Sequence, residues 1–130
     1  MRGLALVLVL ALAAGCFAPP APPAPVAGEF HLKLLGASPS ATAMRWNVVL
    51  SNGAAAPLKD VTVKITLKFY RTRDAGQDQK TVDVPASNTT VVLLSTPYMG
   101  FGDYDYTLQA LDAEGNVLDG DSGLYELCLC

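Results

Sequence analysis

Residues 61 to 70 alternate strictly between apolar and polar side chains, and this pattern constrains the fold more than any other feature of the chain. The apolar set is Val61, Val63, Ile65, Leu67 and Phe69, and the polar set is Thr62, Lys64, Thr66, Lys68 and Tyr70. Because successive side chains of a strand point to opposite faces, the segment predicts a strand with one dry and one wet face. Such strands are typical of antiparallel sheets that bury a single face.

The same period of two recurs from about residue 29 onward. It is seen in residues 30–34, 44–50, 80–84, 89–95, 104–110 and 124–129, and turn residues separate the runs at Asn52-Gly53, Asp74-Ala75-Gly76, Ser87-Asn88 and Glu114-Gly115-Asn116. About seven short strands predict an all-β fold, an immunoglobulin-like antiparallel β-sandwich in which two sheets bury their inner faces together. Trp46 is the natural centre of that core.

The amino terminus has the form of a signal peptide. Arg2 precedes an eleven-residue apolar run, residues 4–14, which ends at Gly15 and Cys16. A membrane-spanning helix needs about 20 apolar residues, so the run predicts a segment that is removed and not a permanent span. An ordinary cleavage site after small residues is one interpretation of its end.

The residues Ala13-Ala14-Gly15-Cys16 resemble the bacterial lipobox. The resemblance implies cleavage before Cys16 and a diacylglyceryl group on its sulfur, which would hold the protein at a membrane of the cell envelope. Phe17 stands where an aspartate commonly retains such lipoproteins in the inner membrane. The resemblance therefore implies the outer membrane, facing the periplasm or the surface, in an organism with two membranes.

A proline-rich segment follows the cysteine, with prolines at 19, 20, 22, 23 and 25. Such a segment favours the polyproline II conformation and, at about 3.1 Å per residue, would hold a domain roughly 30 to 40 Å from the lipid. The sequence therefore predicts three parts: a lipoprotein signal peptide (1–15), a lipidated cysteine with a Pro/Ala-rich tether (16–28), and the sandwich domain (29–130).

Two stretches of the domain are similar to known modules. Residues 47–65, with Asn52-Gly53 and Pro57-Leu58-Lys59-Asp60-Val61, resemble small bacterial envelope domains of the FxLYD and related immunoglobulin-like type. Residues 97–115 resemble the E–F corner and F–G hairpin of fibronectin type III domains. That second resemblance implies that Tyr104 or Tyr106 is a corner tyrosine, whose hydroxyl bonds to the backbone a few residues upstream.

Charge argues against a nucleic-acid partner. The formal net charge is −3, and loss of Arg2 with the signal peptide makes it −4, whereas phosphate binding needs a clustered basic face. The basic residues concentrate between Lys59 and Lys80, and residues 81–130 carry eight acids and no Lys or Arg. We therefore expect one basic and one acidic face.

Catalytic chemistry has little support in the sequence. His31 is the only histidine, and alternation directs it away from the core side of Phe30 and Leu32. A hydrolytic triad needs a nucleophile, a base and an orienting group together, and nothing near His31 in the sequence indicates them. We expect no enzyme activity and no cofactor.

Cys128 and Cys130 close the chain. In a strand their Cα atoms would lie nearly 7 Å apart, at the limit of disulfide geometry. A strained local disulfide, a link to another subunit and capture of Cu(I) or Zn²⁺ all remain open.

One set of acidic residues could supply oxygen ligands for Ca²⁺, but no metal ligand is assigned. The set comprises Asp103, Asp105, Asp112, Glu114, Asp119 and Asp121. It lacks the spacing of an EF-hand calcium loop, and residues 112–116 fit hairpin turn chemistry better.

The loop Pro97-Tyr98-Met99-Gly100-Phe101-Gly102 is the best recognition candidate, because loops at a sandwich end are positioned to bind partners. Tyr98, Met99 and Phe101 would make the contacts; alternatively, Tyr98 and Phe101 fold back to plug the core.

The predicted function is a noncatalytic binding or scaffolding lipoprotein that engages a protein or envelope partner through end loops or an open sheet edge. The alternative is a metal- or redox-handling lipoprotein that uses Cys128 and Cys130.

Overall fold

The computed structural model describes residues 27–128, which form seven strands and no helix. The strands are β1 (Phe30–Pro39), β2 (Ala43–Asn52), β3 (Leu58–Phe69), β4 (Ala75–Val84), β5 (Asn88–Pro97), β6 (Gly102–Leu111) and β7 (Val117–Leu127). Within this described part, nothing forms a helix long and apolar enough to cross a membrane.

The strands pair antiparallel in two sheets, which confirms the predicted all-β sandwich. One sheet has three strands in the order β1-β2-β5, and the other has four in the order β4-β3-β6-β7. The fourth strand thus pairs with β3, whereas in constant-type immunoglobulin domains it lies in the sheet of the first, second and fifth strands.

Three strands differ most in extent from the prediction, and all three are edge strands: β1 continues to Pro39 and does not end at residue 34, and the other two are β4 and β7. The turn expected at residues 74–76 lies at 70–74, where the Arg73 N–H donates to the Phe69 carbonyl, and β4 already begins at Ala75. β7 covers Val117–Leu127 and so begins seven residues before the predicted start at residue 124. An edge strand is partly exposed on both faces, so its side chains need not alternate between apolar and polar.

The core lies between the sheets and is centred on Trp46, as the sequence predicts. Trp46 is fully buried, and its indole N–H donates to the Thr96 hydroxyl at 2.8 Å. The rings of Tyr104 and Tyr125 meet it edge-on, with centroids 6.0 and 5.4 Å away. The alternating apolar side chains of β3 complete the core from the facing sheet, and all five are buried.

The loops divide between the two ends of the sandwich. The chain enters at what we call the entry end, where the Gly28 N–H donates to the Gly53 carbonyl and the Ser87 N–H to that of Ala54. Loops 53–57, 85–87 and 112–116 lie there. Loops 40–42, 70–74 and 98–101 lie at the opposite end, which we call the far end.

Side chains of β7 cover the free edge of β1. Asp119 Oδ2 accepts the Leu32 N–H at 2.8 Å, and Asp121 Oδ2 accepts that of Leu34 at 3.4 Å. The Tyr125 hydroxyl accepts the Ala37 N–H and donates to the Ala37 carbonyl. These bonds satisfy edge groups that would otherwise be available to pair with another chain.

Candidate functional site

Tyr104 anchors the loop between β5 and β6. Its side chain is fully buried, and its hydroxyl donates to the Gly100 carbonyl at 2.5 Å and accepts the Met99 N–H at 3.1 Å. Burial raises the pKa of Tyr104, and the Met99 N–H offsets only part of that rise. Of the two tyrosines that the sequence suggested, Tyr104 therefore has the geometry of a corner tyrosine.

Tyr106, the other candidate for the corner tyrosine, does not contact the loop between β5 and β6 in the way that Tyr104 does. It is half-buried, its ring lies 6.2 Å from that of Trp46, and it packs against the core. Burial, and then the negative charge of Asp121, raise the pKa of its hydroxyl. Tyr106 thus contributes to the core side of β6 and not to the loop.

The loop residues 98–101 divide between core and surface. Tyr98 and Met99 are half-buried and pack against the core, and the Tyr98 N–H donates to the Thr42 carbonyl at 3.2 Å. Phe101 is exposed at 38% and meets the Tyr98 ring edge-on, with centroids 6.0 Å apart. The alternative, in which Tyr98 and Phe101 both fold back, thus describes Tyr98, whereas Phe101 lies partly exposed beside it and outside the core cluster.

Glycine backbone geometry shapes this loop. Gly100 and Gly102 have φ values of 114° and 138°, which side-chain-bearing residues rarely adopt. A Cβ on Gly102 would lie 3.3 Å from the Phe69 ring, so a larger residue would press on the core. Both positions in the loop that carries Phe101 therefore favour glycine.

A second loop adjoins it at the far end. The Tyr70 N–H donates to the Asp103 carbonyl at 3.0 Å, and the Tyr70 side chain is 69% exposed. Arg71 Nε approaches Gly102 from the same loop. We call Tyr70, Arg71 and Phe101 the far-end surface. Sequence reasoning missed Tyr70, because alternation assigned it to the wet face of β3 with no reason to single it out.

His31 lies on the side of the sandwich, away from this surface. Its Nε2 atom is 2.5 Å from Glu29 Oε2, and its Nδ1 atom is 4.0 Å from Asp119 Oδ2. About half of the imidazole is exposed, as alternation predicted. Because Asp119 also accepts the Leu32 N–H, this group links β1 to β7.

The acidic residues are dispersed. Asp103 and Asp105 begin β6 at the far end, Asp112 and Glu114 lie at the entry end, and Asp119 and Asp121 lie on the β1 side. Asp112 serves its own turn: Oδ1 accepts the N–H groups of Asn116 and Glu114, and these bonds, that of Asn116 most, lower its pKa. Across residues 27–128, no three His, Cys, Asp or Glu side chains are grouped to hold a metal ion.

The remaining predictions about cysteines concern residues at or beyond the limits of the structure. Cys128 is exposed and directly follows β7 at the far end. Cys130, Cys16 and the lipobox lie outside the described residues. A disulfide, an intersubunit link or a metal at Cys128 and Cys130 therefore stays a prediction.

The charges do not separate into two faces as the sequence led us to expect. On the outer face of the four-stranded sheet, Lys68 of β3 is opposite Asp105 of β6, and Lys64 is opposite Gln109. The basic and acidic segments are therefore neighbours in one sheet.

Comparison with known proteins identified the fold and no relative in sequence. No family model and no curated protein sequence matches the chain. Solved structures do: one is a β-glucuronidase from glycoside hydrolase family 2, with a TM-score of 0.52 and 13% identity over 76% of this chain and 11% of that enzyme. The chain has a β-sandwich fold. It spans only that small part of the enzyme, and the likeness extends to architecture alone.

The putative ApaA protein from Bordetella pertussis is a second similar structure. It has a TM-score of 0.49 and 9% identity over 80% of this chain and 98% of that protein.

Proposed function

We propose that the protein is a membrane-anchored envelope lipoprotein whose noncatalytic β-sandwich binds a protein or other envelope partner through the far-end surface. The lipobox-like residues before Cys16 support the anchor, and the similarity of residues 97–115 to fibronectin type III domains supports a binding module. Outer-membrane attachment follows from Phe17 by the lipoprotein rule given above.

One observation carries the choice of surface: Phe101 is 38% exposed on a loop in which Met99 and Gly100 bond to the buried Tyr104 hydroxyl. An exposed aromatic side chain that is already ordered loses little conformational entropy on binding, and aromatic residues dominate binding energy at protein interfaces. Tyr70, on the adjoining loop, offers a second ring.

The position of this surface agrees with an anchor at the amino terminus. The chain enters at Gly28, at the entry end, whereas loops 70–74 and 98–101 lie at the far end. A domain held through its entry end would present Phe101 and Tyr70 away from the lipid.

The two edges of the three-stranded sheet, β1 and β5, are poorer docking sites than these loops. Asp119, Asp121 and Tyr125 occupy the amide groups along β1, and Asp78 Oδ2 accepts the Ser95 N–H of β5 at 2.8 Å. An added strand would first have to displace these side chains. This favours the end-loop form of the sequence prediction over the open-edge form.

Site-specific crosslinking in the native cells tests the binding role. A photoreactive phenylalanine analogue would replace Phe101 in one variant and Val117 in a matched control, since Val117 is 58% exposed but lies at the entry end. We expect a discrete adduct from position 101 and none from 117. Adducts from 117 alone, or from neither position, would contradict the proposal.

A separate experiment tests the anchor. Cys16→Ser removes the sulfur that would carry the lipid, so we expect the variant to incorporate no labelled fatty acid and to accumulate as a precursor that retains residues 1–15. If the chain instead has an ordinary cleavage site, the wild-type protein will carry no fatty acid and the variant will be cleaved as the wild type is.

A further inference from the structure

Two side chains on the outer face of the three-stranded sheet are buried although they point away from the core. Val48 and Leu50 of β2 face the core, so Val49 and Ser51 face outward. Val49 is nevertheless 1% exposed and Ser51 2% exposed. Val91, opposite Val49 on β5, is 53% exposed. Burial on this face is therefore confined to the central strand.

Ser51 gives independent evidence that something covers this strand. Its Oγ atom is buried and has no hydrogen-bond partner among residues 27–128. Buried hydroxyl groups in proteins are almost always hydrogen-bonded, so an unpartnered one indicates a group that belongs beside it. That group must bring a hydrogen-bonding atom to the outer face of β2.

The course of the chain at the entry end indicates which segment this is. Residues 27 and 28 form a turn, and Gly28 has a φ of 77°, which a glycine adopts without strain. The Gly28 N–H bonds to the carbonyl of Gly53, two residues beyond Ser51. The described chain therefore begins beside the end of β2, two residues beyond Ser51.

We propose that residues 22–26, Pro-Pro-Ala-Pro-Val, dock along β2 on this outer face and cover Ser51 and Val49. Val49 is four residues from Gly53, about 13 Å along the strand, and five residues of polyproline II extend about 15 Å. Proline rings suit an apolar surface, and their carbonyl groups are free to accept the Ser51 hydroxyl.

The proposal changes the geometry of the tether. Residues 17–21 alone would act as spacer, about 15 Å long, and not the 30 to 40 Å expected for the whole segment. The outer face of the three-stranded sheet would lie toward the anchor, and the far-end surface would remain uncovered. The proposal does not depend on a binding partner or on lipid, so its test can fail without affecting the proposed function.

Thiol labelling of the purified complete chain tests it. Cys16, Cys128 and Cys130 are replaced by serine, and Val49→Cys then supplies the only thiol, with Val91→Cys as the matched control on the same face. We expect a maleimide to label position 49 about tenfold or more slowly than position 91, since a covered thiol reacts only during local opening. Replacing the prolines at 22, 23 and 25 with serine should remove most of that difference. Ser51→Cys repeats the measurement if Val49→Cys unfolds.

Each other result overturns the proposal. Fast labelling of position 49 in the parent would show that nothing covers it. Slow labelling that persists in the serine variant would show that neighbouring sheet residues bury it. Slow labelling that is lost on deletion of residues 1–15, with the prolines intact, would assign the cover to the apolar run.

Discussion

Asp119 Oδ2 accepts a hydrogen bond from the Leu32 N–H at 2.8 Å, so a side chain of β7 occupies the free edge of β1. The two residues belong to different sheets and are 87 positions apart in the chain. Together with Asp121 and Tyr125, this contact closes one side of the sandwich without a ladder of backbone bonds. It stabilises the fold and also makes β1 a poor template for another chain.

Asp119→Ala should therefore weaken the fold and expose an edge. We expect a loss of about 1 kcal/mol in the free energy of unfolding, measured in urea, because a partly buried N–H loses its acceptor. Self-association that rises with protein concentration, measured by light scattering, should accompany it. Asp105→Ala is the control, since Asp105 is exposed on the outer face of β6. Equal behaviour of the two variants would contradict a role in edge protection.

Thr96→Val should be destabilising although the side chain keeps its shape. The Thr96 hydroxyl is the acceptor of the Trp46 indole N–H, and both residues are buried. An unpaired buried donor costs about 1 to 3 kcal/mol, which urea unfolding followed by fluorescence of the single tryptophan would measure. Thr96→Ser retains the hydroxyl and should recover most of that loss. If valine and serine are equivalent, the hydrogen bond contributes little.

Tyr104→Phe should loosen the loop that carries Phe101. The change removes the bonds to the Gly100 carbonyl and the Met99 N–H while the ring stays in the core. We expect a loss of about 1 to 3 kcal/mol in unfolding free energy and faster amide hydrogen exchange in residues 98–101. Tyr70→Phe, at an exposed ring, should change neither quantity. Unchanged exchange in Tyr104→Phe would mean that the glycines alone hold the loop.

Alkaline pH should destabilise the protein through Tyr104 and Tyr106. Burial raises the pKa of both hydroxyls above the ordinary value of 10.0, so the folded state retains their protons longer than the unfolded state does. The stability that the two protonated hydroxyls contribute to the folded state is fully present below pH 10, and it is lost as the pH rises through the raised pKa values. Urea unfolding between pH 8 and 11 should show this fall, and it should be shallower in Tyr104→Phe. A flat profile would contradict it.

Phe101→Ala should separate binding from stability. Phe101 is 38% exposed and contacts Tyr98 but belongs to no buried core cluster, so its loss should cost only about 1 kcal/mol of unfolding free energy. Capture of the crosslinked partner, with the photoreactive group placed at position 70, should nevertheless fall sharply. Tyr98→Ala is the contrasting variant, because Tyr98 packs against the core and its truncation should cost stability. Full capture by Phe101→Ala would remove the far-end surface as the binding site.

Central strands were predictable from the sequence because a single physical rule governs them. Each side chain of β2 and β3 must face either the core or the outside, and the period of two in Val61–Phe69 records that choice directly. The position of Trp46 and the class of fold follow from the same pattern. At the edges the rule fails: in β7, Asp119 and Asp121 stand opposite the buried Ala110 and Leu108 of β6, where alternation would place apolar residues, because they accept hydrogen bonds from β1.

The candidate site was predictable only in part. The sequence singled out Tyr98, Met99 and Phe101 as large apolar residues between glycines, but it could not say which of them would be buried. That outcome depends on Tyr104 and on the Thr42 carbonyl, which come from other strands and loops. Tyr70 joined the surface only because loop 70–74 lies beside loop 98–101.

The sequence by itself determined that this chain forms strands with one buried face, and it determined the lipobox-like residues at Cys16 on which the anchor proposal rests. Both are properties of residues close together in the chain. Side chains two apart in a strand share a face, and a signal peptidase contacts only a few adjacent residues. Tertiary structure alone decided how the sheets share the strands, how Asp119 reaches Leu32, and that Phe101 lies opposite the point of chain entry. These relationships join residues far apart in the chain, and only the packing of the two sheets brings them together.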